Sequence, residues 1–240
     1  MKLSISVTLL IFVLLFSGCR KKQPDVPPPV PLPLAQIARD LGPPAQFNVL
    51  KTNAVDIMED ISLKDWPAAQ DKVTIISNSL NELQPVLDST KVSKETISGI
   101  TGAVNGLAGA VAAKKQYDAL SQANLITEFI PDIADHYVTG VPSDVMRLGY
   151  LARELMLDIR YEDWTSAADD LNAAEGVWIR TKSKLRASLQ HEIGSFQGSL
   201  DRLKSAVAQK GTTSASHEVN ALLNSIESME QNAADKNDDR

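Results

Sequence analysis

Cys19 is the only cysteine in the 240 residues, so the chain can form no internal disulfide and no thiolate cage for a metal. Aromatic side chains make up only 5% of the sequence and glycine supplies 12 positions. Ala, Leu, Asp, Lys and Gln instead fill long stretches poor in turn residues, a composition that predicts an all-α fold. Basic charge is scarce. The net charge of −6 becomes −7 once Lys2, the one charged residue before Cys19, is removed with residues 1–18. The one basic cluster, Arg20-Lys21-Lys22, is too short for a nucleic-acid footprint. The longest apolar run, Leu3–Phe16, falls short of the ~20 residues that span a bilayer.

Motifs of catalysis and metal binding are also missing. The residues three before His136, His191 and His217 are Ile133, Ser188 and Ser214, so the Glu-x-x-His signature of di-iron bundles is absent. No Cys-x-x-Cys-His haem attachment, phosphate loop, Gly-x-Ser-x-Gly elbow or Ser-His-Asp arrangement occurs. The acids read as a solvated face. The expectation is a non-enzymatic protein without cofactor or metal.

What the sequence does contain is a repeat. Pro44–Asp71 returns 98 positions later as Pro142–Asp169, with ten ungapped identities: Pro44/Pro142, Leu50/Leu148, Ala54/Ala152, Met58/Met156, Asp60/Asp158, Ile61/Ile159, Asp65/Asp163, Trp66/Trp164, Ala69/Ala167 and Asp71/Asp169. Average usage gives about two by chance. The spacing predicts a tandem duplication of one helical unit.

Within the first unit (34–139), Leu34–Leu41 forms a short amphipathic turn or helix that Gly42-Pro43-Pro44 stops. Leu50, Ala54, Ile57 and Ile61 mark a helix over about Ala45–Leu63. Asp65 caps the next helix, and Pro67 fits its first turn. Its buried seam is Trp66, Ala69, Val73, Ile76, Leu80, Leu83 and Leu87, with Pro85 as a late kink or stop. Ser93 caps a third helix, whose Gly99, Gly102, Gly106 and Gly109 point to close approach of a neighbour. A fourth spans about Lys115–Tyr137, kinked near Pro131.

The second unit (140–233) repeats the pattern with helices over about Asp144–Tyr161 and Trp164–Leu189. A helix seamed by Ile193, Phe196, Leu200, Leu203 and Val207 follows, then one over about Ser214–Asn232; residues 234–240 are a frayed tail. Short connections require antiparallel neighbours. Two tandem antiparallel four-helix units, about eight helices in all, are expected, as separate domains or fused in one.

The first residues carry an address. Met1-Lys2 is a basic start, Leu3–Phe16 an apolar run, and the run closes on Phe16-Ser17-Gly18-Cys19. This resembles the lipobox of bacterial lipoproteins, with Phe16 in place of the usual aliphatic residue. The resemblance implies cleavage after Gly18 (signal peptide 1–18), diacylglyceryl attachment at Cys19 and membrane anchoring by more than one acyl chain. With Arg20 rather than Asp next, it implies the outer membrane in a cell that has two. Residues 19–33, with six prolines, form an extended spacer at ~3.1 Å per residue. The helical part is similar to tandem helical-bundle lipoproteins of bacteria with no assigned activity, a likeness that implies fold and no chemistry.

Few residues inside the units invite a ligand. Trp66, Trp164 and Trp178 read as large anchors for the bundles, the first two also as a stacking pair. Met58 and Met156 suit core filling, or haem or copper ligation if a histidine faces them. Asn124 and Thr127 fall among the apolar positions of their helix, where a buried amide needs partners. They either fix helix register or line a polar pocket with Tyr117 and Tyr137. The expected function is a lipid-anchored, extracytoplasmic envelope protein presenting a helical bundle to a protein or envelope polymer. The alternative is a carrier of a small ligand, haem or metal.

Overall fold

A computed structural model describes residues 42–140 and 142–234. The signal run, Cys19, the proline spacer, the Leu34–Leu41 turn and the last six residues lie outside the described residues. The fold is all-α, with no strand among the described residues. Among the described residues eight α-helices follow one another: α1 (Ala45–Leu63), α2 (Trp66–Ser89), α3 (Lys94–Ala112), α4 (Gln116–Ala134), α5 (Ser143–Tyr161), α6 (Trp164–Thr181), α7 (Gln190–Ala208) and α8 (Thr212–Ala234). None is long and apolar enough to cross a membrane.

The strongest local regularity is finer than the 98-residue spacing. Four turns, at Lys64, Lys114, Glu162 and Lys210, each place one non-glycine residue at φ between 51° and 61°. These residues lie 50, 48 and 48 positions apart, and each closes a Schellman motif. Asp65 N–H donates to Asp60 C=O at 2.8 Å, and Lys115 to Ala110, Asp163 to Asp158 and Gly211 to Ala206, all at 2.9 Å. The same residue then begins the next helix: the carbonyls of Asp65, Lys115, Asp163 and Gly211 accept from Ala69, Ala119, Ala167 and Ala215. All four alanines are fully buried, because two helices converging on so short a turn leave room for a methyl and little more. Asp65 and Asp163 also cap with their side chains, accepting from Ala68 N and Ser166 N at 3.1 Å.

The result is four αα-hairpins with one burial pattern. Leu50, Ile100, Leu148 and Phe196 occupy one layer, Ile57, Leu107, Leu155 and Leu203 the next, and Ile61, Val111, Ile159 and Val207 the layer beside the turn; all are buried. Leu80, Ile130, Trp178 and Ile226 match on the returning helices. Trp178 fills the place of Leu80, stacks 4.3 Å from Phe196 and donates its indole N–H to Gln197 at 2.7 Å.

Hairpins pair into two four-helix rings, α1–α4 and α5–α8, in which each helix packs on its sequence neighbours and the first on the fourth. Each ring has its own apolar core. The rings meet where α4 packs on α5, and Leu157 of α5 is buried in the first core. They form one compact body. Asp144, buried at the start of α5, is encircled by Arg147, Arg180 and Lys184, and Arg147 also reaches Asp132 of α4. Burial pushes the Asp144 carboxyl up, but the Lys184 hydrogen bond and the surrounding cations outweigh it and hold the carboxyl below its usual range.

The expected helix over Trp164–Leu189 is shorter. It ends at Thr181, whose hydroxyl donates to Val177 C=O at 2.7 Å, and two 3₁₀ turns follow. Arg180 in the last helical turn and Lys184 in the first 3₁₀ turn both reach Asp144. The fourth helix ends at Ala134 rather than Tyr137 and keeps Pro131 inside its last turn. Of the α3 glycines, Gly99 and Gly106 lie against the side chains of Phe129 and Gln122 on α4, whereas Gly102 and Gly109 face open space.

The turn geometry is testable by stability. Lys114→Gly removes a left-handed strain and should raise unfolding free energy by about 0.5–1 kcal/mol. Ala119→Leu overfills the same turn and should lower it by about 1–3 kcal/mol. Denaturant midpoints of both variants decide the point, and a stable Ala119→Leu protein would refute the packing account.

Candidate functional site at the junction of the two rings

The junction is built on a polar network of four side chains, those of Asn124, Thr127, Arg153 and Glu154. Asn124, fully buried on α4, faces α5. Its amide donates to Tyr150 C=O at 3.2 Å and to Glu154 Oε1 at 2.9 Å. Its carbonyl oxygen accepts from Arg153 Nε at 2.8 Å and from the Thr127 hydroxyl at 2.9 Å. Thr127 Oγ1 also accepts from Arg153 Nη2 at 2.9 Å. Asn124 therefore holds a cation with one end and a carboxylate with the other, which fixes the register of α4 on α5.

On the Arg153 side a cleft of about 420 Å³ opens between the rings, within the range of small-molecule pockets. Val55 and Met58 of α1, Thr127 and Ile130 of α4, Met146, Gly149, Arg153 and Met156 of α5, and Leu223 and Ile226 of α8 line it. Lys51 and Glu230 pair at 2.9 Å between α1 and α8, with Asp56 and Glu227 exposed at the rim. Gly149 makes room for the guanidinium, since a Cβ there would sit 3.3 Å from Arg153 Nη1. Burial lowers the Arg153 pKa to about 10, against the pull of Glu230 and Glu154.

On the opposite side three carboxylates gather. Glu154 and Asp158, one turn apart on α5, meet Asp170 of α6, with one oxygen of each within 4.8 Å of the others. Burial comes first, and the negative charge of Asp170 second, in pushing Asp158 up to about 7. Burial likewise raises Asp170 and Glu154. Protonation of one carboxyl would relieve the repulsion, and a divalent cation could be held by the same three oxygens. Sequence spacing gave no metal pattern because the third carboxylate lies on another helix.

Of the four residues expected around a polar pocket, the structure brings two together. Asn124 and Thr127 share the junction network. Tyr117 is half-exposed, with its ring 4.6 Å edge-on to Tyr161. Tyr137 lies buried at the end of the first ring, 6.4 Å from Phe47. Trp66 and Trp164 are partly buried, each packed on its own core, and Trp178 is fully buried. Met58 and Met156 both line the cleft, but none of the three histidines does, so a Met–His haem ligation has no second ligand there. Sequence reasoning missed Arg153 and Gly149. Their signal was a guanidinium beside the apolar seam and a glycine one helical turn before it.

Comparison with protein-family models, with curated proteins and with solved structures finds no match to the chain.

Two measurements follow from this geometry. Asn124→Ala strands Arg153 Nε and Glu154 and should cost about 3 kcal/mol of stability in urea unfolding. Asp158 carries a native pKa above its unfolded value near ~3.9, so the native state holds its proton longer as pH rises. Its cost is absent below pH ~4 and complete above pH ~7. Asp158→Asn should therefore stabilise by about 1 kcal/mol at pH 8, after solvent screening, and by nothing at pH 4. A gain independent of pH would contradict the raised Asp158 pKa.

Proposed function

We propose that the protein is a non-enzymatic, lipid-anchored protein of the bacterial cell envelope. The observation that carries this reading is the Leu3–Phe16 run closing on Ser17-Gly18-Cys19. Acylated Cys19 fixes the chain to a membrane, and the proline-rich residues 19–33 link it to the helical body. The two-ring body then presents a rigid surface to a protein or polymer of the envelope. What supports binding rather than catalysis is the use made of the polar groups. Asn124, Arg153, Thr127 and the ring of cations around Asp144 join helices.

A second reading, a carrier of a small ligand, is favoured by one observation, the Arg153-based cleft between the rings.

Anchoring is read by mass spectrometry of the mature N-terminal peptide after expression in a bacterium with two membranes. The expected peptide begins at Cys19 and carries acyl chains, and Cys19→Ser abolishes both cleavage and the added mass. A mature chain recovered from the aqueous fraction with an unmodified Cys19 would end this proposal.

A further inference from the structure

We propose that the cleft between the rings binds an amphiphilic monocarboxylate of the fatty-acid type, with its carboxylate on Arg153 and its tail among Met146, Met156, Ile130 and Ile226. Lys51 and Glu230 neutralise each other across the cleft. Asp56 and Glu227 are exposed at the rim, where water screens them. Arg153 forms no salt bridge: among the described residues no carboxylate lies within ion-pair distance of its guanidinium, Glu230 and Glu154 act on it only from farther off, and both acceptors it reaches, Asn124 Oδ1 and Thr127 Oγ1, are neutral. These two occupy Nε and Nη2 and leave Nη1 without a hydrogen bond. A withdrawn, unpaired guanidinium is costly, and a carboxylate is the group that matches its planar fork.

The remainder of the wall selects the body of the ligand. Thioethers and branched aliphatic side chains from α1, α4, α5 and α8 line the cleft with Arg153, and methionine adapts to a flexible chain. A doubly charged or fully polar anion would leave this wall without a partner. Asn124 and Thr127 are positioning residues here, since they aim the guanidinium. The cleft is formed by the helical body alone, so the proposal holds whether or not Cys19 is acylated.

The test uses the full chain in phosphatidylcholine nanodiscs and a dodecanoate bearing a diazirine at its tail. Irradiation should label peptides of α5 and α8. Dodecanoate should displace the label at least about tenfold better than dodecanol, as a charge-assisted contact requires. Arg153→Met should reduce labelling by a similar factor and Arg153→Lys by less. Val55→Trp, an exposed substitution at the mouth of the cleft, should block it with unchanged helicity, and it decides the matter if Arg153→Met unfolds. Labelling spread outside the cleft, unchanged in Val55→Trp, or displaced equally by dodecanol overturns the proposal. Loss of label in phosphatidylglycerol discs overturns it also, in favour of an anionic phospholipid. The intact mass of the same sample reports the state of Cys19 separately.

Discussion

Everything in the body of this protein depends on how two helices are joined in two or three residues. At Lys64, Lys114, Glu162 and Lys210 the backbone turns left-handed once, satisfies the last carbonyls of one helix and starts the next without an intervening loop. So tight a joint fixes the angle and the offset of the pair, and the buried alanine four residues after three of these turns' second residues, as after the fourth, sets how near the axes come. Once that geometry is set, the same layers of aliphatic side chains meet in every hairpin. The rest of the fold is the docking of four such pairs.

Much of this was legible in the sequence, and the reasons differ from element to element. The seams of α1, α2, α5 and α7 stood out because their apolar residues step by three and four without interruption. Asp65 and Asp163 announced helix starts through their capping chemistry. The finer repeat was hidden because its constant residues are small or variable: the turn position is Lys, Lys, Glu and Lys, and the alanine is a common residue. The break at Thr181 was illegible because the apolar pattern runs on through Leu185, and the Lys184–Asp144 pair formed beyond the break joins residues distant in the sequence.

The junction shows the same division. A buried asparagine among aliphatics was visible as a residue in need of partners, and the structure supplies four of them. Its grouping with Tyr117 and Tyr137 did not survive, because helix position alone does not say which helix packs on which face. Arg153 and the Glu154–Asp158–Asp170 group belong to the surfaces created when α4 meets α5 and α6 meets α5. Such sites exist only after assembly, so no local pattern marks them.

The placement of Leu157 has a consequence for how the molecule comes apart. This side chain belongs to α5 yet completes the hydrophobic interior built by α1–α4. Pulling the rings apart would therefore open a hole in the first while exposing a leucine of the second. Heat should thus meet one cooperative unit rather than two modules melting in turn, and a fragment ending before Ser143 would be missing a piece of its own interior.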